Sequence, residues 1–334
     1  MHRKRSILYV SLLSPIVIVF VLFLSIRSGS TSISSADIFE AIFAFDANNV
    51  THNIVITSRV PRAIGAMLIG ALLAMSGALM QGMTRNYLAS PSIMGVSDGA
   101  GFVITLAVIF LPGMSSLQMM MFSLIGSAVG VGIVFGLASL IRNGFSPVKL
   151  AIIGTIIGTF LSSLSAAFAT YFQVSQTMSF WYNARLHQIN PGLLLFSIPF
   201  ATIGIILALF LSNSISILSL GEETSASLGQ RKGIVKGLTI LSVVIMTGIS
   251  VALVGKIGFV GLIIPHITRF LIGRQYKIVI PIAGIFGGVF LTLCDSLSLY
   301  MNYPFETPVG VVTAIIGVPF FLYLIKTKGG AQHD

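Results

Sequence analysis

Residues able to do chemistry are few and scattered in this chain. The five histidines, His2, His52, His187, His266 and His333, form no His-x-x-x-His or Glu-x-x-His pair that would seat a metal ion. Cys294 is the single cysteine, which excludes an internal disulfide and a cysteine metal cluster. The nearest approach to a phosphate loop is Gly248-Ile-Ser-Val-Ala-Leu-Val-Gly255-Lys256. Its spacing is wrong, and Ile257 stands where a Ser or Thr would hold magnesium. The expectation is therefore no catalytic residue, no cofactor and no metal site, with no ATP bound by that route.

The charged and hydroxyl residues say more. Arg59 and Arg62 open an apolar run on either side of Pro61. Their planar forks suit bidentate carboxylate binding, and interfacial arginines also snorkel to lipid headgroups; both readings stand. Asp98 and Asp295 are the only carboxylates within apolar runs, and both are expected close to span ends, as a helix cap and as inter-helix hydrogen-bond partners. An ion-coupled carrier usually keeps acidic residues at mid-membrane. With none expected there, the energy should come from a separate ATPase. Residues 214–233 read SISILSLGEETSASLGQRKG, and Gly221 to Gly229 should form a short helix between glycines, with Glu222 and Glu223 in the first turn where the helix dipole favours acids. Such a segment is either a plain connector or a handle for a partner. Thr155, Thr159, Ser162, Ala166 and Thr170 recur every three or four residues and share one helical face, which fits a water-filled path or a tight helix contact equally.

The elements that position these residues follow from composition. The chain of 334 residues is 55% hydrophobic and 8% charged, with mean hydropathy +0.99. Soluble domains carry about 25% charged residues, so this is a polytopic membrane protein. Apolar runs long enough for a roughly 30 Å hydrocarbon core fall near 7–26, 61–83, 93–111, 117–141, 148–172, 192–213, 234–254, 257–273, 278–299 and 308–325. The expected fold is an all-α bundle of about ten transmembrane helices, a single domain over 1–334 with an inner segment at 214–233. Runs 93–111 and 257–273 are short and glycine-rich, which suits broken helices covered by protein or water. The first run is long for a signal peptide, and Arg27-Ser-Gly-Ser is a poor cleavage site, so it should be a retained span.

With the N terminus inside, only Arg27, Arg59, Arg62, Arg185 and Lys256 of the 19 Lys and Arg fall outside. That is a positive-inside bias with both termini cytoplasmic. The net charge of +10 is spread over run ends rather than clustered, so nucleic acid is not a partner; membrane lipid is. In the outer segment, Ser34-Ser-Ala-Asp37 can cap a short helix. Gly126-xxx-Gly130, Gly132-xxx-Gly136, Gly154-xxx-Gly158 and Gly284-xxx-Gly288 should bring helix backbones together, and such faces could also slide during transport.

The order of motifs resembles one family. Arg59-Val-Pro-Arg62, Gly70-Ala-Leu-Leu-Ala-Met-Ser-Gly77, Gln81-x(4)-Asn86-Tyr-Leu-Ala-Ser-Pro91 and Gly95-Val-Ser-Asp-Gly-Ala100 are similar to the signature of FecCD-type (BtuC-like) permeases of ABC importers. So are Gly258-Phe-Val-Gly-Leu-Ile-Ile-Pro-His-Ile-Thr-Arg269 and the run Glu306 to Phe321. The resemblance implies a bacterial cytoplasmic-membrane permease with two copies of an ABC ATPase inside and an extracytoplasmic siderophore-binding protein outside. It implies that Arg59 and Arg62 dock that binding protein. It further implies that Gly221, Glu222, Ala226, Leu228 and Gly229 couple to the ATPase, and that the face from Thr155 to Thr170 lines the path of a ferric siderophore. Two departures stand out. Phe180-Trp-Tyr-Asn-Ala-Arg-Leu-His187 keeps a tryptophan and loses the Gly-Ser that many relatives carry. Leu299 replaces an arginine placed after the Asp of span nine. Both suggest a second, non-identical permease completing a heterodimer, and the Trp-Tyr-Asn-Ala-Arg variant resembles the ferric hydroxamate branch. Cobalamin or haem import is the alternative within the class, an ion-coupled secondary transporter the alternative outside it, and a structural or assembly protein a third reading.

Overall fold

The computed structural model describes residues 2–29, 31–142, 144–182, 186, 189–303 and 305–329, without the side chains of 2–11, 93, 147, 222, 324, 325 and 327–329. Helices α1 (His2–Arg27), α2 (Ser35–Phe43) and α3 (Val50–Ile54) lead through a π-helical turn into α4 (Val60–Thr84). Then follow α5 (Val96–Phe110), α6 (Ser116–Leu140), α7 (Pro147–Tyr171), α8 (Ser175–Tyr182), α9 (Pro191–Leu218) and α10 (Glu222–Ser227). The chain continues with α11 (Lys232–Val254), α12 (Val260–Ile272), α13 (Tyr276–Ser298) and α14 (Val309–Gly329). The architecture is all-helical, as expected from the apolar runs.

Among the described residues, six helices are long and apolar enough to cross a membrane, and four shorter apolar helices fall at the remaining expected spans. Two of the four are the runs whose glycines pointed to broken helices. At 1.5 Å per residue, the 15 residues of α5 reach about 22 Å and the 13 of α12 about 20 Å, both short of a roughly 30 Å core. A short 3₁₀ turn at Pro91–Met94 precedes α5, and α12 begins after Gly255 and Phe259, both at positive φ.

Helix α4 is the centre of the bundle and is buried along most of its length, with α13, α11, α12 and α9 around it. Lipid tails supply no hydrophobic drive between helices, so close backbone approach has to hold them. A Cβ on Gly70 would stand 2.2 Å from the Gly287 carbonyl oxygen, and one on Gly99 2.3 Å from that of Gly126. The backbone contacts expected at Gly126, Gly130 and Gly288 are thus present, whereas Gly284 meets the Met75 side chain and Gly158 the Asp98 carboxylate. Gly132 and Gly136 differ: nothing lies within 4 Å of a Cβ placed there, so this face of α6 is open in the single chain.

The segment between α1 and α4 is a small cap at one end of the bundle. Ser34 and Asp37 form the expected capping box at the start of α2. Helix α2 turns Ile38 and Ala41 onto Ile26, Ile33, Val55 and Ala63.

Candidate functional site

Arg59 and Arg62 both turn inward. Arg59 is 7% exposed. Its Nη1 donates to the carbonyls of Ile26 and Arg27, both at 3.0 Å, and its Nη2 donates to the carbonyl and, at 2.9 Å, the hydroxyl of Thr31. One guanidinium thereby satisfies the last carbonyls of α1, which a helix end leaves without intrahelical partners. Arg62 donates from Nε and Nη2 to the two oxygens of Asp295, each at 2.8 Å, and from Nη1 to Glu306 at 3.0 Å. The Asp295 side chain is 1% exposed and that of Glu306 32%. Asp295 is the inter-helix partner near a span end that its position predicted. The two arginines expected to face a partner's carboxylates are held by this chain's own groups, and of the two carboxylates on Arg62 the more accessible is Glu306.

Asp98 departs from its expected role. Gly95 caps α5, and the Asp98 carboxylate instead accepts from Lys256 Nζ at 2.7 Å and from Ser162 Oγ at 3.2 Å. It lies in the first turn of its span, as expected, but that span does not begin at the end of the bundle. Gly158, twelfth in the 25-residue α7, faces Asp98 so closely that a Cβ there would stand 2.6 Å from Oδ2. Its neighbour Gly99 packs on Gly126 and Gly130, in the middle of α6. Helix α5 starts partway through the bundle, so its first turn is carried about 18 Å from either end of α7. The expectation of no acidic residue at mid-depth is corrected by this geometry, and the charge there is balanced by a lysine.

The hydroxyl face of α7 is real. Thr155, Thr159, Ala166 and Thr170 are exposed, and Ser162 is half-buried beneath Lys256. The adjacent face, with Ile153, Leu161, Ser165 and Ala169, packs inward, while Ile156 and Phe160 on the other flank are exposed.

A buried cluster that the motifs contained, but whose partnership they did not reveal, joins α4 to α12. Gln81 Nε2 donates to the carbonyls of Gly261 and Leu262 at 3.3 and 3.2 Å, and Arg269 Nη1 donates to Gln81 Oε1. The Arg269 guanidinium also lies 4.5 Å from the centre of the Tyr87 ring. The only signal was chemical: a glutamine and an arginine in apolar helices each require a buried partner.

At the opposite end from Arg62, α10 sits beneath α9. It is the short helix expected between Gly221 and Gly229, whose φ values of 133° and 74° favour glycine. Ser225 is buried and bonded to Gln230, whose Nε2 donates to the Ser214 carbonyl at 3.0 Å, fastening α10 to the end of α9. Ala226 and Gly229 are exposed, and Leu228 is 63% exposed. The Glu222 side chain lies outside the described residues. The surface so formed projects from the ends of α9 and α11 and mixes the exposed Ala226 and Leu228 with Glu223, Thr224 and Ser227.

Of the segment Phe180 to His187, residues 183–185 and 187 lie outside the described residues. Trp181 and Tyr182 pack edge to face, 5.3 Å apart, beside the cluster of Ile104, Ala169 and Met178. Leu299 is 8% exposed and takes a buried place at the end of α13.

The FecCD transport family matches residues 17–327. The chain is 57% identical over 333 residues to the iron-uptake system permease protein FeuB of Bacillus subtilis, covering 100% of each. It is 45% identical over 307 residues to the iron(3+)-hydroxamate import system permease protein FhuB of the same organism, covering 92% of this chain and 80% of that one. A solved inward-facing metal-chelate type ABC transporter superposes with a TM-score of 0.83 at 27% identity, covering 97% of this chain and 99% of that one. With its six long apolar helices it is a multi-pass membrane protein, and on these matches the chain belongs to the FecCD transport family.

Proposed function

We propose that this chain is the permease subunit of an ABC importer that carries a ferric siderophore across the bacterial cytoplasmic membrane. The observation that carries it is α10. A short helix fastened to the end of the bundle through Ser225 and Gln230 presents Ala226 and Leu228 outward. Exposed apolar side chains at such a place fit a groove on another protein. That protein is an ABC ATPase, two copies per assembly, contacting Gly221, Glu222, Ala226, Leu228 and Gly229. The chain itself is not an enzyme in this reading.

The remaining parts follow. Ten apolar segments cross the membrane, α5 and α12 as the short helical parts of broken spans, both termini are cytoplasmic, and α10 lies inside. An extracytoplasmic siderophore-binding protein docks at the Arg59 and Arg62 end, where the contact of Arg62 with Glu306 is the exchangeable one. A second permease faces the hydroxyl side of α7 across the path, and the pair is a heterodimer. The names of the relatives support iron as cargo. The hydroxamate form of the chelate is the narrower reading, supported by the relative at 45% identity and by Trp181-Tyr182.

The test is reconstitution with the ATPase, the second permease and a loaded binding protein in vesicles. ATP should drive accumulation of radio-iron supplied as the siderophore. Import that continues without the ATPase, down a proton or sodium gradient, would replace this reading with a secondary carrier. Full import by an assembly holding two copies of this chain would remove the heterodimer alone.

A further inference from the structure

The pair of Asp98 and Lys256 is out of keeping with a helix surface covered by lipid. Lys256 Nζ lies level with Ser162, nine residues and about 14 Å below the end of α7 at Tyr171. Its side chain is 27% exposed, and that of Asp98 22%. Ionised groups within a membrane span are costly, and they face bundle interiors or water-filled cavities. A partly uncovered ion pair at this depth therefore marks water rather than lipid on its open side. The same side carries the hydroxyl face of α7, since Ser162 hydrogen-bonds to Asp98 and is flanked along the helix by the exposed Thr159 and Ala166.

Several described residues hold the cluster in place. Gly158 leaves room for the carboxylate, and the Tyr182 ring lies 4.7 Å from Nζ. Gly255, at φ 84°, approaches Trp181 so closely that a Cβ would stand 2.3 Å from its carbonyl oxygen. This fixes the residue before Lys256 against the end of α8. The ammonium has three protons. Asp98 takes one at 2.7 Å and Ser162 a second at 3.4 Å, and among the described residues no acceptor takes the third.

We infer that Lys256, braced by Asp98, Ser162 and Tyr182, is a mid-path contact for the anionic oxygen donors of a metal chelate. The site is incomplete as a metal site, because a lysine repels a bare cation. It suits the outer surface of a chelate whose iron is already wrapped in negatively charged oxygens, a chemistry that hydroxamates and catecholates share. This rests on the importer reading above and adds to it the residue that touches the cargo.

Cys294, 2% exposed and the single native cysteine, gives a quiet background for thiol chemistry. In vesicles holding the whole assembly, Asp98→Asn removes the partner charge and Lys256→Cys introduces a thiol at the site. An anionic, membrane-impermeant thiosulfonate should modify that thiol at least tenfold faster than it modifies the wild-type chain. Binding protein loaded with either a neutral ferric tris-hydroxamate or a trianionic ferric tris-catecholate should slow the reaction about tenfold, and the chelate that protects identifies the class. Failure to react means that protein or lipid covers the pair, and overturns the inference. Reaction that neither chelate slows means that water reaches the site and cargo does not, and overturns it equally. Should the variant pair not assemble, Asp98→Asn/Lys256→Met, which strands neither charge, should lower import about tenfold, or about 1.4 kcal/mol, while Lys256→Arg keeps most of it. Equal import by all three would again overturn the contact. Wild-type import of both chelates is read in the same vesicles, and its absence would fault the importer reading instead.

Discussion

The two ends of this bundle handle their polar and apolar groups in opposite ways. At the Arg62 end, charge is turned inward: Arg59 closes the end of α1, and Arg62 ties α4 to Asp295 on α13 and to Glu306 before α14. At the α10 end, apolar side chains are turned outward among polar ones, with Leu228 63% exposed on a helix anchored through Ser225 and Gln230. The first arrangement is what a fold needs for itself. The second gives the single chain little, since a leucine 63% exposed leaves most of its area unburied. The contrast separates residues that stabilise this subunit from residues kept for another one, and substitutions at each end should differ in kind.

The largest effect is expected at Arg62. Arg62→Glu places a third carboxylate beside Asp295, which is 1% exposed, and Glu306. Breaking a buried ion pair costs about 3–5 kcal/mol, so the variant should melt well below the wild type in detergent and reach the membrane in reduced amount. A variant with wild-type melting but weakened affinity for the binding protein would show that Arg62 is a free receptor and erase the contrast. A smaller loss is expected for Arg59→Met, which leaves the carbonyls of Ile26, Arg27 and Thr31 without their donor. A buried acceptor left unpaired costs about 1–3 kcal/mol. Hydrogen exchange should localise the loosening to the end of α1 and to α2, and unchanged protection there would show that the strut carries no load.

Much of this was legible in the sequence. The helices follow from apolar runs whose ends agree within a few residues, as with 148–172 against Pro147–Tyr171. The short helix α10 was marked by its two glycines, and α2 by Ser34 and Asp37. Pairing was not legible. Arg62 meets residues 233 and 244 positions away, and Gln81 meets Arg269 at a distance of 188, separations that no local pattern encodes. The depth of Asp98 was misjudged for a related reason. A hydropathy run gives a span its length and not the level at which it starts, and α5 begins its first turn against the middle of α6 and α7. The glycine-rich brevity of that run pointed to a broken helix, and its consequence for depth needed the neighbouring helices.

The smallest effect on the fold, and the sharpest test of the contrast, belongs to Leu228. Leu228→Asp changes a side chain that this chain leaves in the open, so its melting temperature should match the wild type, within the ±0.5 kcal/mol typical of surface substitutions. Its effect should appear only when the ATPase is present. An aspartate entering an apolar groove is desolvated without a partner, which is costly, so the stimulation of ATP hydrolysis by loaded binding protein should be lost and import with it. Ser225→Ala offers the converse. It frees Gln230 from one of its contacts and should loosen α10 on the end of α9 while leaving Leu228 chemically intact. If Leu228 acts by fitting a groove, loosening its base should weaken coupling partially, and added ATPase should restore it. Normal transport by Leu228→Asp would reduce α10 to a connector, whatever the arginine end does.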